Sequence, residues 1–98
     1  MCGATTGGLS LEGVDLDKEA VIQGQVLRGE DPVSGAYVRL LDRTGEFTAE
    51  VPTSATGHFR FFAGPGEWTL RTLAPRAQAS DRRVVAARGS VAEVTVSL

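Results

Sequence analysis

The chain has one cysteine, one histidine, one tryptophan, one tyrosine and a single lysine among its 98 residues. The lone Cys2 makes no intramolecular disulfide, so the fold must hold without a covalent staple, as expected in a reducing compartment. One histidine and one distant cysteine supply no clustered ligand set, so neither a metal nor another cofactor is expected. No apolar run approaches the roughly 18 residues of a membrane span, and the N-terminus shows neither a basic nor an apolar leader region. The expectation is therefore a cytoplasmic protein with no membrane partner. A nucleophile elbow, a phosphate loop and a paired-carboxylate spacing are all missing, which predicts a protein that is not an enzyme. Helical periodicity is absent after Glu19.

What is present is ordinary for one small globular domain: 42% hydrophobic and 22% charged residues, with a net charge of −2. The charge is unevenly divided. Residues 1–50 carry nine acids and four bases, whereas residues 51–98 carry three acids and six bases. Nine of the ten cations are arginine, the side chain suited to forked recognition of oxyanions. They are not concentrated as in nucleic-acid binders, so no nucleic acid is expected as a partner.

Residues 1–19 hold four glycines in their first 13 positions and no sustained period, which predicts a flexible N-terminal arm before a β-sandwich domain over residues 20–98. From Ala20 to Leu27 the residues alternate as in a strand with a mostly polar outer face. Gly24 lies inside that strand and marks a close approach by a large neighbour, for which Trp68 is the candidate. Arg28 to Gly35 reads as a turn region. Ala36 to Asp42 forms a second strand, with Tyr37, Arg39 and Leu41 on one face. In the third, Glu46 to Val51, the alternation places Phe47, Ala49 and Val51 inward.

Thr53 to Leu70 carries the densest apolar alternation. Phe59 and Phe61 precede Ala63-Gly64-Pro65-Gly66, and Trp68 and Leu70 follow it, which predicts a β-hairpin with Phe61 opposite Trp68 and Phe59 opposite Leu70. Pro75 to Asp81 is loop-like, and strands over Arg82 to Ala87 and Ser90 to Leu98 close the chain. The sum is an all-β protein, a seven-strand antiparallel β-sandwich.

Several stretches carry a family resemblance. Ile22-x-Gly24-x-Val26, Pro32-Val33-Ser34-Gly35-Ala36-Tyr37-Val38-x-Leu40, Thr56-Gly57-His58-Phe59-Arg60-Phe61 and Pro65-Gly66-Glu67-Trp68-Thr69-Leu70 resemble the carboxypeptidase regulatory-like domain. The resemblance implies a prealbumin-like sandwich with an accessory or binding role. Over nearly the whole chain, Met1-Cys2-Gly3, Val38 to Val51 and Ser54 to Arg71 are similar to the SseC-like actinobacterial small proteins. That family is classed as a domain of unknown function and is typically encoded beside rhodanese-like thiosulfate sulfurtransferases. The resemblance implies a partner role in sulfur metabolism and assigns no catalytic residue.

Two sets of residues are candidates for such a role. Cys2 is the one thiol to which sulfur can attach covalently, and removal of Met1 would place it beside an N-terminal ammonium that favours the thiolate. An exposed tail cysteine is equally at home as an inert residue. In the hairpin register His58 faces outward opposite Arg71 and beside Arg60, giving either a solvated polar face or a basic patch for a partner. Tyr37 and Phe62 also fall on outward faces, where they suit a binding patch or a homodimer seam. A ligand-binding or assembly module for carbohydrate or peptide is the alternative class. Prealbumin-like hydrolases are a poor fit, because Arg88-Gly89-Ser90 precedes the last strand and there is only one histidine.

Overall fold

The computed structural model describes residues 20–98. The expected arm, with Cys2 in it, lies outside the described residues. Eight strands run in the order β1 (Ala20–Arg28), β2 (Asp31–Pro32), β3 (Tyr37–Leu41), β4 (Phe47–Pro52), β5 (His58–Ala63), β6 (Gly66–Leu73), β7 (Ser80–Ala86) and β8 (Val91–Ser97). The strand beyond the seven expected is β2, which folds back on the end of β1 with Leu27 opposite Pro32. Gly29, at φ 63°, makes that tight reversal possible where a side chain would be strained.

The strands form two four-stranded sheets. In one, β1 is central, with β5 and β2 along one edge and β8 along the other. The second has the order β4-β3-β6-β7. All pairings are antiparallel except β1 with β8, which run parallel. The sheets stack face to face, as the alternating apolar pattern requires. Ile22, Val26, Phe59, Phe61, Val94 and Val96 from the β1 sheet meet Val38, Leu40, Leu70 and Ala86 from the β3 sheet in one core. Phe59 and Phe61 pack with ring centroids 6.2 Å apart and planes tilted by 56°.

The expected hairpin is not a hairpin. β5 pairs with β1 and β6 pairs with β3 and β7, so the Gly64–Pro65 link carries the chain from one sheet to the other. Phe59 lies opposite Gly24 and Leu70 opposite Leu40. An inward-facing apolar stripe on each arm is compatible with lying side by side or with facing across a core. The partners β1 and β3, far away in sequence, decide between the two.

Two further expectations change for local reasons. Gly24 is closely approached, but by Val94 and Phe59 rather than Trp68, since a Cβ at that position would lie 1.8 Å from the Val94 carbonyl oxygen and 2.9 Å from Phe59 Cζ. Phe47 points outward and is 60% exposed. The register between β3 and β4 shifts between Leu40 and Leu41, so Leu40 pairs with Ala49 but Leu41 with Phe47. One extra residue in β4 turns Phe47 to the other face.

Candidate functional site

The outer face of the β3 sheet is organised by a row of four charges, one per strand. Glu50 on β4, Arg39 on β3, Arg71 on β6 and Asp81 on β7 stand opposite one another in register. Arg39 Nε donates to Glu50 Oε1 at 2.7 Å. Arg71 grips Asp81 with two bonds, Nε to Oδ1 at 2.9 Å and Nη2 to Oδ2 at 3.0 Å. That forked contact holds the Asp81 carboxyl below the usual carboxylate range and raises Arg71, even though both are exposed to water. Pairs this exposed add little stability, and their effect here is to fix the direction of the guanidinium planes.

Aromatic residues flank the row on either side. Tyr37, 50% exposed, starts β3 and is flanked by Pro52 and Leu73. Phe47 lies beyond the row at the other end, opposite Leu41, with the Arg39 guanidinium carbon 6.0 Å from its ring centroid. The two aromatic positions are offset by four positions along β3, from Tyr37 to Leu41, roughly 13 Å of extended strand. Arginine and exposed aromatics interleaved on a rigid sheet are the composition of an interaction surface. Alternation alone conceals this arrangement, because Phe47 reaches the face only through the bulge. The one signal available in the sequence is Asp42-Arg43-Thr44-Gly45, a turn from which the register of β4 cannot be counted reliably.

The other candidates lie on the opposite side of the sandwich. Arg60 and Phe62 stand on β5 facing out from the β1 sheet, and Phe62 is 55% exposed. His58, opposite Gln25, is thus not across from Arg71, whose neighbours are Arg39 and Asp81. The expected His58–Arg60–Arg71 patch is therefore divided between two faces, as is the pairing of Tyr37 with Phe62. The cause is the same crossover that separates β5 from β6. His58 closes the turn before β5, with its Nδ1 2.7 Å from Thr56 Oγ1 and its amide donating to Ser54 Oγ at 3.1 Å. Arg60 donates from Nε to Gln23 Oε1 at 3.0 Å, and Gln23 in turn donates to Glu93 Oε1 at 2.8 Å. Burial pushes the Arg60 guanidinium down, against the opposing pull of Glu93, and its Nη2 is buried without a hydrogen-bond partner. The β1-sheet face is thus a chain of mutually engaged polar groups across β5, β1 and β8. Among the described residues no group of three His, Cys, Asp or Glu side chains converges as metal ligands would.

Comparison with known proteins places this geometry in a family. The model of a protein family described as "Protein of unknown function (DUF1416)" matches residues 2–98. The chain belongs to the DUF1416 family. Within that setting it is 60% identical over 75 residues to the uncharacterized protein Rv0814c of Mycobacterium tuberculosis (strain ATCC 25618 / H37Rv), covering 74% of this chain and 75% of that one. Among solved structures, the Bacillus anthracis TIE protein superimposes with a TM-score of 0.72 at 14% identity, over 82% of this chain and 17% of that one. Klebsiella pneumoniae 5-hydroxyisourate hydrolase gives a TM-score of 0.62 at 20% identity, over 80% of this chain and 88% of that one. Identities this low speak for the fold alone, which is prealbumin-like. The DUF1416 chain thus shares its architecture with a hydrolase, while its own charged row and aromatic pair are described from its own residues.

Proposed function

We propose that this DUF1416 protein is a non-enzymatic docking partner of a rhodanese-like sulfurtransferase, which it engages through the outer face of the β3 sheet. One observation carries the reading: two exposed aromatics, Tyr37 and Phe47, bracket two oriented arginines on a single four-stranded face. Residues of these types dominate the energetics of protein interfaces. Presented on strands rather than loops, they bind without a backbone-ordering cost. The resemblance of Met1-Cys2-Gly3, Val38 to Val51 and Ser54 to Arg71 to the SseC-like proteins supplies the partner's class. In this reading Cys2 is the sulfur acceptor. A persulfide on the enzyme passes its outer sulfur to the Cys2 thiolate and leaves the enzyme as thiolate, so no external oxidant is needed.

A second copy of the chain is disfavoured on this face when the two rows are centred on each other. The row reads acid, base, base, acid, so a two-fold axis lying in the interface through its centre stacks acid on acid and arginine on arginine. The face therefore suits a different partner, with apolar hollows for the two rings and acceptors for the guanidinium groups.

The test is calorimetric titration of the full chain against a rhodanese-like sulfurtransferase. Y37A with F47A is expected to weaken binding about tenfold or more, while F62A on the opposite face leaves it unchanged. C2S is expected to retain docking and lose sulfur acceptance, read as the mass of one added sulfur atom. Binding lost in F62A and kept in the Tyr37 and Phe47 variant overturns the choice of face. Retention on glycans with no affinity for any sulfurtransferase overturns the partner and favours the carbohydrate-binding alternative.

A further inference from the structure

At the far end of the β3 sheet stand two cations that form no ion pair with a carboxylate among the described residues. Arg43, in the turn after β3, and Arg83, on β7, line an open depression of about 330 Å³ together with Glu67, Trp68 and Thr69. An adjoining hollow of about 720 Å³ shares Arg43, Glu67 and Trp68 and extends to Asp42 and Gly66. Among the described residues the ion pairs are Arg39 with Glu50 and Arg71 with Asp81, so neither Arg43 nor Arg83 is engaged. Asp42, the acid next in sequence to Arg43, has its Oδ1 occupied by the Thr44 amide and hydroxyl and the Glu46 amide. Those bonds hold its carboxyl below the usual range. Arg82, beside Arg83 in sequence, faces the other way and donates to the Thr95 carbonyl at 2.9 Å.

We propose that this depression binds a small tetrahedral dianion between the guanidinium groups of Arg43 and Arg83. The forked donors of arginine match the spacing of oxyanion oxygens. Glu67 in the same hollow opposes the anion and lowers its affinity. Coulomb energy scales with the ligand's charge, so with two cations and one carboxylate lining the site the net pull on a dianion is twice that on a monoanion. The Trp68 indole is held in place by donation from Nε1 to the Gly64 carbonyl at 2.9 Å, and it forms one wall without competing for the anion. The site stands independently of partner docking, since none of Tyr37, Phe47, Arg39 or Arg71 lines it.

Trp68 is the single tryptophan of the chain, so its fluorescence reports directly on this site. The full chain is titrated with sodium sulfate, with sodium acetate and sodium chloride at matched ionic strength as controls. Sulfate is expected to give a saturable change in emission, and acetate and chloride a much weaker one. R43Q and R83Q are each expected to weaken sulfate about tenfold, the loss of one charge-assisted contact. E67Q is expected to tighten it several-fold, and R76Q, at a turn outside the depression, to leave it unchanged. Circular dichroism verifies that each variant is folded. An equal response to chloride, sulfate affinity retained in R43Q and R83Q, or weaker binding in E67Q overturns the assignment.

Discussion

Replacement of Gly24 by alanine tests the packing of the sandwich at its tightest point. Gly24 lies mid-way along β1, opposite Phe59 on one side and Val94 on the other. Its φ is not in the left-handed region, so alanine meets no backbone strain of its own. At such a position alanine ordinarily stabilises by about 0.4–1 kcal/mol, through the unfolded chain. Here the added Cβ would stand 1.8 Å from the Val94 oxygen, 2.8 Å from the Val94 carbonyl carbon and 2.9 Å from the Phe59 ring. Backbone cannot rotate aside as a side chain does, so β8 must retreat by roughly 1.5 Å to restore an ordinary contact. Losing one or two ladder hydrogen bonds at about 1 kcal/mol each, with overpacking against Phe59 at about 1–2 kcal/mol, gives a destabilisation near 3 kcal/mol. For a domain of this size that corresponds to a fall in Tm of roughly 12–24 °C. Urea unfolding followed by circular dichroism measures it, with m expected to be unchanged. Adding F59L to G24A should recover only the smaller part, because the carbonyl contact remains. A G24A protein as stable as the parent, or more so, would refute the claimed approach of β8.

The remaining predictions concern single side chains. Thr72 is fully buried and its Oγ1 has no hydrogen-bond partner, so T72V, which replaces the hydroxyl by a methyl of similar size, should stabilise by about 1 kcal/mol in the same assay. A loss of stability would reveal a hydrogen bond to that hydroxyl. Phe59 is 2% exposed and F59A should cost about 3–5 kcal/mol. Trp68 is only half-buried at the margin of the core, so W68A should cost less, about 2 kcal/mol. The reverse order, measured by denaturant midpoints, would return Trp68 to the centre of the fold.

Much of the local structure was legible in the residues because strand alternation is a local property. Val38 and Leu40 inward, Tyr37 and Arg39 outward, and Val94 with Val96 on the core side all follow from a period of two. Phe59, Phe61 and Leu70 were identifiable as core in the same way. Gly24 is legible as a place of close approach, but its neighbour is not, because nothing near it in sequence names β8. Alternation alone puts Phe47 inward, since a single-residue bulge inverts every position beyond it without altering composition.

By itself the sequence determined that the fold is all-β and prealbumin-like, and which side of most strands would be buried. Tertiary structure alone decided which strands are neighbours. Pairing is a long-range choice between apolar faces that are alike in pattern, and β5 and β6 went to different sheets although four residues of turn chemistry lie between their aromatic arms. That choice moved Arg71 away from His58 and Arg60 and set it beside Arg39. The bulge in β4 puts Phe47 on the face of Tyr37 and Arg39, so the candidate docking surface joins a local β3–β4 hairpin to Arg71 and Asp81, which strand order alone brings beside it.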